Sequence, residues 1–415
     1  MTVGIVGMGY VGLPLAVAFA SAGQRVIAMD SDPRKVAALE ARESYIEDIP
    51  SAELEAMGDL LAPTTRVGPL GHADAVLLCV PTPLTANREP DLGPLLDATQ
   101  ALARVLRAGQ LVVLESTSYP GTTRERLLPL LEESGLAAGS DFSLAYSPER
   151  VDPGRADHTI RTTPKVVGGL TEVCTRRAVD LYATICDEVV AVGSPDAAEL
   201  TKLLENIFRS VNIALVNELA ILADRMGIDI WEVVDAASTK PFGFMRFEPG
   251  PGMGGHCLPV DPFYLAWRAR EFDFPTEFIE LAGKVNMHMP YHCVEKIERA
   301  LNDMGKAVKG SRVAVLGVSY KAGIGDLRES PALKMLDLLA GRGADLVYHD
   351  PHVPELPQHG MHSLALEDAL IGADLAVIVT AHPEIDLATV IREAPKVVDL
   401  RGVTRRTPAP SVERL

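Results

Sequence analysis

The chain has 415 residues, 47% apolar and 23% charged, the balance of a globular protein with large buried cores and room for roughly two to three domains. Against 56 Asp and Glu stand 39 Lys and Arg, a formal net charge of −17; such a surface repels phosphate backbones, which argues against a nucleic-acid partner. No run of roughly 18 apolar residues implies a membrane span, the N-terminus lacks the basic start of a signal peptide, and no metal site is expected. The five cysteines (79, 174, 186, 257 and 293) are scattered without CxxC spacing, which suits reduced thiols in a cytoplasmic protein.

The first segment alternates apolar strands (3–6, 25–30, 75–80, 111–115, 142–146, 165–168) with helical stretches such as 13–22, the pattern of βαβ units and a parallel sheet. Between the first strand and its helix lies Gly7-Met8-Gly9-Tyr10-Val11-Gly12. Gly7 permits a tight turn, Gly9 lets backbone approach a pyrophosphate, and Gly12 lets helix and strand pack closely. Asp30 ends the second strand, where its carboxylate accepts from both ribose hydroxyls and repels a 2′-phosphate. The cofactor expected is NAD; the plainer reading is a glycine-rich turn with an incidental aspartate.

Residues 196–226 run without Gly or Pro, about 45 Å of helix. Apolar side chains occupy nearly its whole circumference, which predicts burial between domains and between subunits, hence a homodimer or larger homo-oligomer. Lys202 and Asn206, four apart, share one face. They read either as a solvated stripe with Glu199 and Glu205, or as an ammonium and an amide aimed at a developing oxyanion. Residues 249–262, PGPGMGGHCLPVDP, surround Cys257 with four glycines. The expectation is a loop whose backbone closes on a ligand around a reactive sulfur, with Asp261 in a Pro-flanked turn tuning the thiol or water; the alternative is a small apolar filler. His288 and His292 have helical spacing, but Pro290 between them and no third acidic ligand make them packing or surface residues. From 309 a second, shorter α/β unit follows, with strands at 312–316, 344–349, 375–380 and 396–399, a helix at 331–340 and a tail, 405–415, expected to fray. The fold class expected is α/β, two Rossmann-like open parallel-sheet domains (1–195 and 306–415) joined by a central helical region (196–305).

The motifs GMGYVGLPLA, VPTPLTANREPDL, ESTSYPGTT, SPERVDPG, AELTKLLENIFRSVNIALVNELA, PGPGMGGHCLPVDPFYL and SYKAGIGDLRESPAL span nearly the whole chain. Together they resemble the UDP-sugar 6-dehydrogenase family, which oxidises the C6 alcohol of a UDP-hexose to a carboxylate; the wording is most similar to the UDP-N-acetylglucosamine 6-dehydrogenase branch, with UDP-N-acetylmannosamine and UDP-glucose dehydrogenases as near relatives. The resemblance implies Cys257 as nucleophile, Asp261 as handler of the catalytic water, and Lys202 and Asn206 as oxyanion holders. It implies Thr117 and Glu149 as positioner and base for thioester hydrolysis. On the cofactor side it implies Gly7, Gly9, Tyr10, Val11, Gly12, Asp30, Lys35, Thr82, Thr117 and Arg328. On the UDP-hexose side it implies Glu149, Lys202, Asn206, Gly254, Lys321 and Arg401. Two positions depart from the family pattern. Ala322 and Gly323 stand where many relatives carry a second Lys and an acid, and no arginine ahead of the thiol loop is assigned, though Lys240 and Arg246 are available.

An NAD site, an activated cysteine and an oxyanion pair together suggest two successive oxidations through a Cys257 thiohemiacetal and thioester, with two NADH per sugar. The rivals are a single-step NAD alcohol or 3-hydroxyacid dehydrogenase, which needs no thiol, and a non-catalytic NAD-sensing protein.

Overall fold

The computed structural model describes residues 1–46, 49–85, 89–151, 158–255, 257–407 and 409–415, with side chains described at all of these but 257–260. Two compact units result, Met1–Glu205 with Phe263–Pro275, and Asn206–Pro262 with Thr276–Leu415.

The first unit is built on an eight-stranded sheet in the order β3-β2-β1-β4-β5-β6-β7-β8. In chain order these are β1 (Thr2–Val6), β2 (Arg25–Met29), β3 (Leu61–Thr64), β4 (Ala75–Leu78), β5 (Leu111–Leu114), β6 (Ser143–Tyr146), β7 (Lys165–Gly169) and β8 (Val189–Val192). The central strands β4 and β5, AVLL and LVVL, are buried at every residue, as strands covered on both faces must be. Six strands run parallel, but β7 pairs with β6 antiparallel and carries β8 with it, so the sheet is mixed rather than wholly parallel. The two strands not foreseen, β3 and β8, are the edges; β3 contains Pro63 and β8 is half exposed, which hides the apolar signal.

The helix Pro195–Met226 passes from the first unit into the second. Length and mean hydropathy alone would let it cross a membrane. Its buried Glu199, Lys202, Asn206 and Asn217, each bonded to a protein group, are what a core helix carries instead. Leu200, Leu204, Leu215, Leu219, Leu222 and Met226 are exposed in the single chain, so the all-round burial expected of this helix is not met within one copy.

The second unit holds a parallel sheet in the order β10-β9-β13-β14-β15, from β9 (Arg312–Leu316), β10 (Asp345–His349), β13 (Leu375–Ile378), β14 (Val397–Asp399) and β15 (Val412–Arg414), plus a small hairpin of β11 (Glu355–Leu356) and β12 (Met361–His362). The last four residues of the tail do not fray. Val412 to Arg414 pair with Val397 to Asp399, and Leu415, 5% exposed, donates its N–H to the Asp399 carbonyl at 3.0 Å. Prolines and charges suggested a loose end, but the ladder satisfies the backbone and the last side chain joins the core.

The thiol segment also differs from expectation. Cys257 opens a helix, Cys257–Ala269, and Asp261 lies within it, not in a turn. Pro259 falls in the first turn, where a missing N–H costs no helical bond. The helix Glu277–Asp303 continues through Pro290, leaving His288 exposed and His292 buried.

Candidate active site

In the first unit the glycine turn is shaped by three different demands. Gly7 has φ +95°, donates its N–H to the Met29 carbonyl at 2.8 Å, and a Cβ there would lie 2.6 Å from the Cys79 carbonyl. A Cβ on Gly12 would lie 1.8 Å from the Gly7 carbonyl oxygen. At Gly9 a Cβ would meet no atom of the described residues within 4 Å, so those residues leave open the space that glycine keeps. The following helix, Gly12–Ser21, has no side-chain cap at Val11; Leu13 already donates its N–H to the Gly9 carbonyl at 3.0 Å and Pro14 has none, so Gly12 at the helix start is the N–H placed for an anion. Asp30, 6% exposed, accepts from the Met8 N–H at 2.8 Å and pairs with Lys35 at 3.1 Å, while its other oxygen takes the Asp32 N–H at 2.9 Å. An open Gly9, an uncapped helix and a fixed carboxylate fit the pyrophosphate and ribose of NAD. Tyr10 stands exposed at the rim and Val11 half-buried. Tyr45, which nothing in the sequence singled out, braces the turn by donating its hydroxyl to the Met8 carbonyl at 2.7 Å.

Beyond the cradle, Thr82 donates its hydroxyl to the Thr117 carbonyl at 2.7 Å, and its own carbonyl accepts from the Tyr264 hydroxyl at 2.6 Å. Lys202, 8% exposed, donates to the backbone carbonyl of Glu149 at 2.7 Å, which uses one of its three ammonium hydrogens. The Glu149 carboxylate takes the N–H groups of Arg150 and Val151 at 2.7 and 2.6 Å on one oxygen. The solvated-stripe alternative fails at Glu199. That side chain is fully buried and accepts from the Gly121 and Thr123 N–H groups, tying the STSYPGTT turn to the long helix, while Glu205 pairs with Arg150 at 2.7 Å.

A charged cluster that sequence reasoning missed lies beside Glu149. Lys165, whose side chain is 5% exposed, sits 2.8 Å from Glu115 and 3.6 Å from Glu149. The Tyr182 hydroxyl donates to the second Glu115 oxygen. Burial pushes the Glu115 carboxyl up to about 7 against the pull of Lys165. Burial also opposes the charge on Lys165, but Glu115 and Glu149 outweigh it and hold the ammonium protonated. Read from sequence, Lys165 was only the start of a strand. Its signal was a lysine opening an otherwise apolar buried strand.

In the second unit, Asn206 donates to Asp261, which is 1% exposed, so the structure joins two of the expected site residues. Asn217, on the same face of the helix, accepts the Gly250 N–H at 3.0 Å and donates to Asn286 at 2.9 Å. Asn217 and Asn286, unlike Asn206, were not foreseen, although an asparagine amid apolar helix positions was visible. The glycines of the thiol segment close on protein here. A Cβ on Gly254 would lie 2.4 Å from that of Tyr320, Gly255 at φ +83° faces the Tyr320 ring, and a Cβ on Gly250 would lie 2.8 Å from the Arg401 guanidinium. Close approach to neighbouring backbone and side chains is by itself a reason for glycine at these positions. The Cys257 side chain lies outside the described residues.

Lys321 is half-buried on the loop after β9. Arg328 clasps Asp326 through two guanidinium nitrogens, and its carbonyl accepts the Gly255 N–H at 2.8 Å. Arg401 donates to the Val379 carbonyl at 2.8 Å. Lys240 is exposed, and Arg246 pairs with Asp235 and Glu248. His352, His382 and Glu384 lie close enough to suggest a metal. His382, however, accepts the Gly323 N–H on Nδ1 and faces Asp350 and Ser319 with Nε2, so both ring nitrogens are committed.

Comparison with known proteins covers the chain from end to end. The UDP-glucose/GDP-mannose dehydrogenase family's NAD binding domain matches residues 1–186, its central domain 196–288 and its UDP binding domain 314–406. A UDP-N-acetyl-D-mannosamine dehydrogenase of Pyrococcus horikoshii is 36% identical over 98% of this chain and 99% of its own. A UDP-N-acetyl-D-glucosamine 6-dehydrogenase of Pseudomonas aeruginosa is 36% identical over 85% of this chain and 83% of its own. The solved UDP-D-ManNAc dehydrogenase of P. horikoshii superposes with a TM-score of 0.92 at 33% identity, covering 100% of this chain and 99% of that one.

Proposed function

The chain belongs to the UDP-glucose/GDP-mannose dehydrogenase family, NAD-dependent oxidoreductases, and we propose that it oxidises the C6 alcohol of a UDP-N-acetylhexosamine to the carboxylate. The observation that carries the reading is the long helix, which holds a buried lysine and, one turn on, a buried asparagine bonded to Asp261. When bound, NAD⁺ accepts hydride, and two equivalents are consumed per sugar. Cys257 attacks the C6 aldehyde, and Lys202 and Asn206 carry the charge of the resulting alkoxide. After the second oxidation, water attacks the thioester carbonyl. The C–S bond breaks with its electron pair on sulfur, and the water proton passes to Glu149, with Thr117 and Asp261 orienting the water. Lys321, Arg401 and Gly254 take the uridine side of the substrate; Gly7, Gly9, Gly12, Asp30, Lys35, Thr82 and Arg328 serve the cofactor. Three functional segments, 1–195, 196–305 and 306–415, go with this reading, as does a cytoplasmic setting.

The gluco epimer is the reading that the motifs favour. The manno epimer is the second, supported by full-length relatives named for it. A panel of UDP-sugars, read by NADH absorbance and product mass, tests both the class and the epimer. Two NADH and a C6 acid from an N-acetylhexosamine are expected; one NADH per sugar, or a tenfold preference for UDP-glucose, overturns the respective part. Assembly belongs to the proposal too. The exposed leucines of Pro195–Met226 suit a second copy of this chain, so light scattering should give at least a dimer, and Leu204→Glu with Leu215→Glu should shift it toward monomer.

A further inference from the structure

We infer that Lys165 is a positioning residue for the hydrolytic half of the reaction, fixing the carboxylate of Glu149; the inference rests on the reading of Glu149 as the group that takes the water proton. A buried cation is expensive unless paired, and one carboxylate suffices for pairing. Lys165 faces two. Glu115, at 2.8 Å with its second oxygen taking the Tyr182 hydroxyl, is the hydrogen-bonded partner. Glu149, at 3.6 Å, is beyond hydrogen-bond length and is held to the lysine through charge.

What that contact does is orient. One Glu149 oxygen is held by the Arg150 and Val151 N–H groups, and the other faces Lys165, so the carboxylate plane is set from both sides. The same glutamate's carbonyl receives Lys202 at 2.7 Å. Glu115 itself is tied down where β5 ends, two residues before Thr117, its N–H and that of Ser116 both donating to the Leu78 carbonyl. Lys165 thus bridges the segment bearing Thr117 to the segment bearing Glu149, the two groups assigned to water.

The test uses three variants of the full-length enzyme and the UDP-sugar turned over fastest in the panel. Lys165→Met strands the Glu115 carboxylate and can fail to fold, so Lys165→Met is combined with Glu115→Gln, which removes the buried pair together; Lys165→Arg keeps the cation. The double variant should retain NAD binding and form NADH rapidly in a burst of two per site, then turn over about 10²-fold slower than wild type, the scale of a misplaced reacting group. Lys165→Arg should recover much of the lost rate. A burst of this kind reports stalled hydrolysis, which a merely structural defect would not produce. Glu149→Gln is run in parallel. If it shows the burst and the double variant does not, the positioning inference fails alone. If Glu149→Gln shows no burst, the reading of Glu149 fails and the inference with it.

Discussion

The two sheets present the same corner twice and use it differently. In the first unit Gly7, at φ +95°, donates to the carbonyl that ends β2, and Met8 donates to Asp30 just beyond that strand at 2.8 Å. In the second, Gly317, at φ +78°, donates to the carbonyl that ends β10, and Val318 donates to Asp350 at 2.7 Å. A side chain on either glycine would strike a neighbouring carbonyl, Cys79 at 2.6 Å or Thr380 at 2.1 Å. The resemblance ends one residue later. Gly9 borders open space, whereas Ser319 is fully buried and bonded to the Lys321 carbonyl and to His382. Asp30 has donors at each oxygen but sits beside the open turn. Asp350 accepts from four backbone N–H groups and from His382. A strand-turn-strand corner is therefore a scaffold, and what its neighbours leave vacant decides whether a nucleotide phosphate can lie against it.

The same substitution at the two aspartates should separate scaffold from site most sharply. Asp350→Ala orphans five donors, four of them buried, and should cost about 3 kcal/mol or more in urea unfolding. Asp30→Ala loses fewer partners. Its main effect should be on the cofactor, narrowing the gap between NAD and NADP in kcat/KM by about tenfold, roughly 1.4 kcal/mol. Equal losses of stability at both positions would dissolve the contrast.

Gly9→Val is the next cut. Among the described residues no atom lies within 4 Å of a Cβ placed there, so the melting temperature without cofactor should hold. NAD affinity should fall by about 10- to 100-fold, roughly 1.4–2.7 kcal/mol, measured by calorimetry. A variant that binds NAD normally would show that the open space at Gly9 does not face the pyrophosphate.

Legibility followed the same division. The glycine turn, Asp30 and the long helix were readable because their signals are local: spacing, an acid ending a strand, thirty residues without a breaker. Lys202 and Asn206 could be paired by helical period, but their partners, the Glu149 carbonyl and Asp261, lie far off in sequence. Lys165, Asn217 and Glu199 were missed or misread for that reason; each is a polar residue whose purpose is a contact across the fold. The thiol segment was legible only in part. Its glycines show smallness in sequence but not the protein neighbours, here Tyr320 and Arg401, that crowd them.

The finest test compares buried carboxylates of the two units by pH. Burial raises the Glu199 carboxyl from 4.5 to about 7, against the lowering pull of the Thr123 and Gly121 donors. Between those values the folded state keeps a proton that the unfolded chain has released. The stability contributed is therefore full below 4.5 and lost as pH rises through 7. At Asp350 burial also pushes upward, but hydrogen bonds from His382 and the backbone win and hold the carboxyl below 3.8. Its contribution is full above that value and lost only in acid, so it is constant between pH 5 and 7. Glu199→Gln lowers the baseline by leaving a donor unmatched, but the informative quantity is slope. Measured by urea midpoint at pH 5, 6 and 7, the wild type should lose on the order of 1–2 kcal/mol more than the variant across that window. Glu115, also raised to about 7, keeps part of the decline in both proteins. Parallel curves would mean that Glu199 stays ionised throughout, its three donors outweighing its burial, and the first unit's carboxylates would then titrate like Asp350.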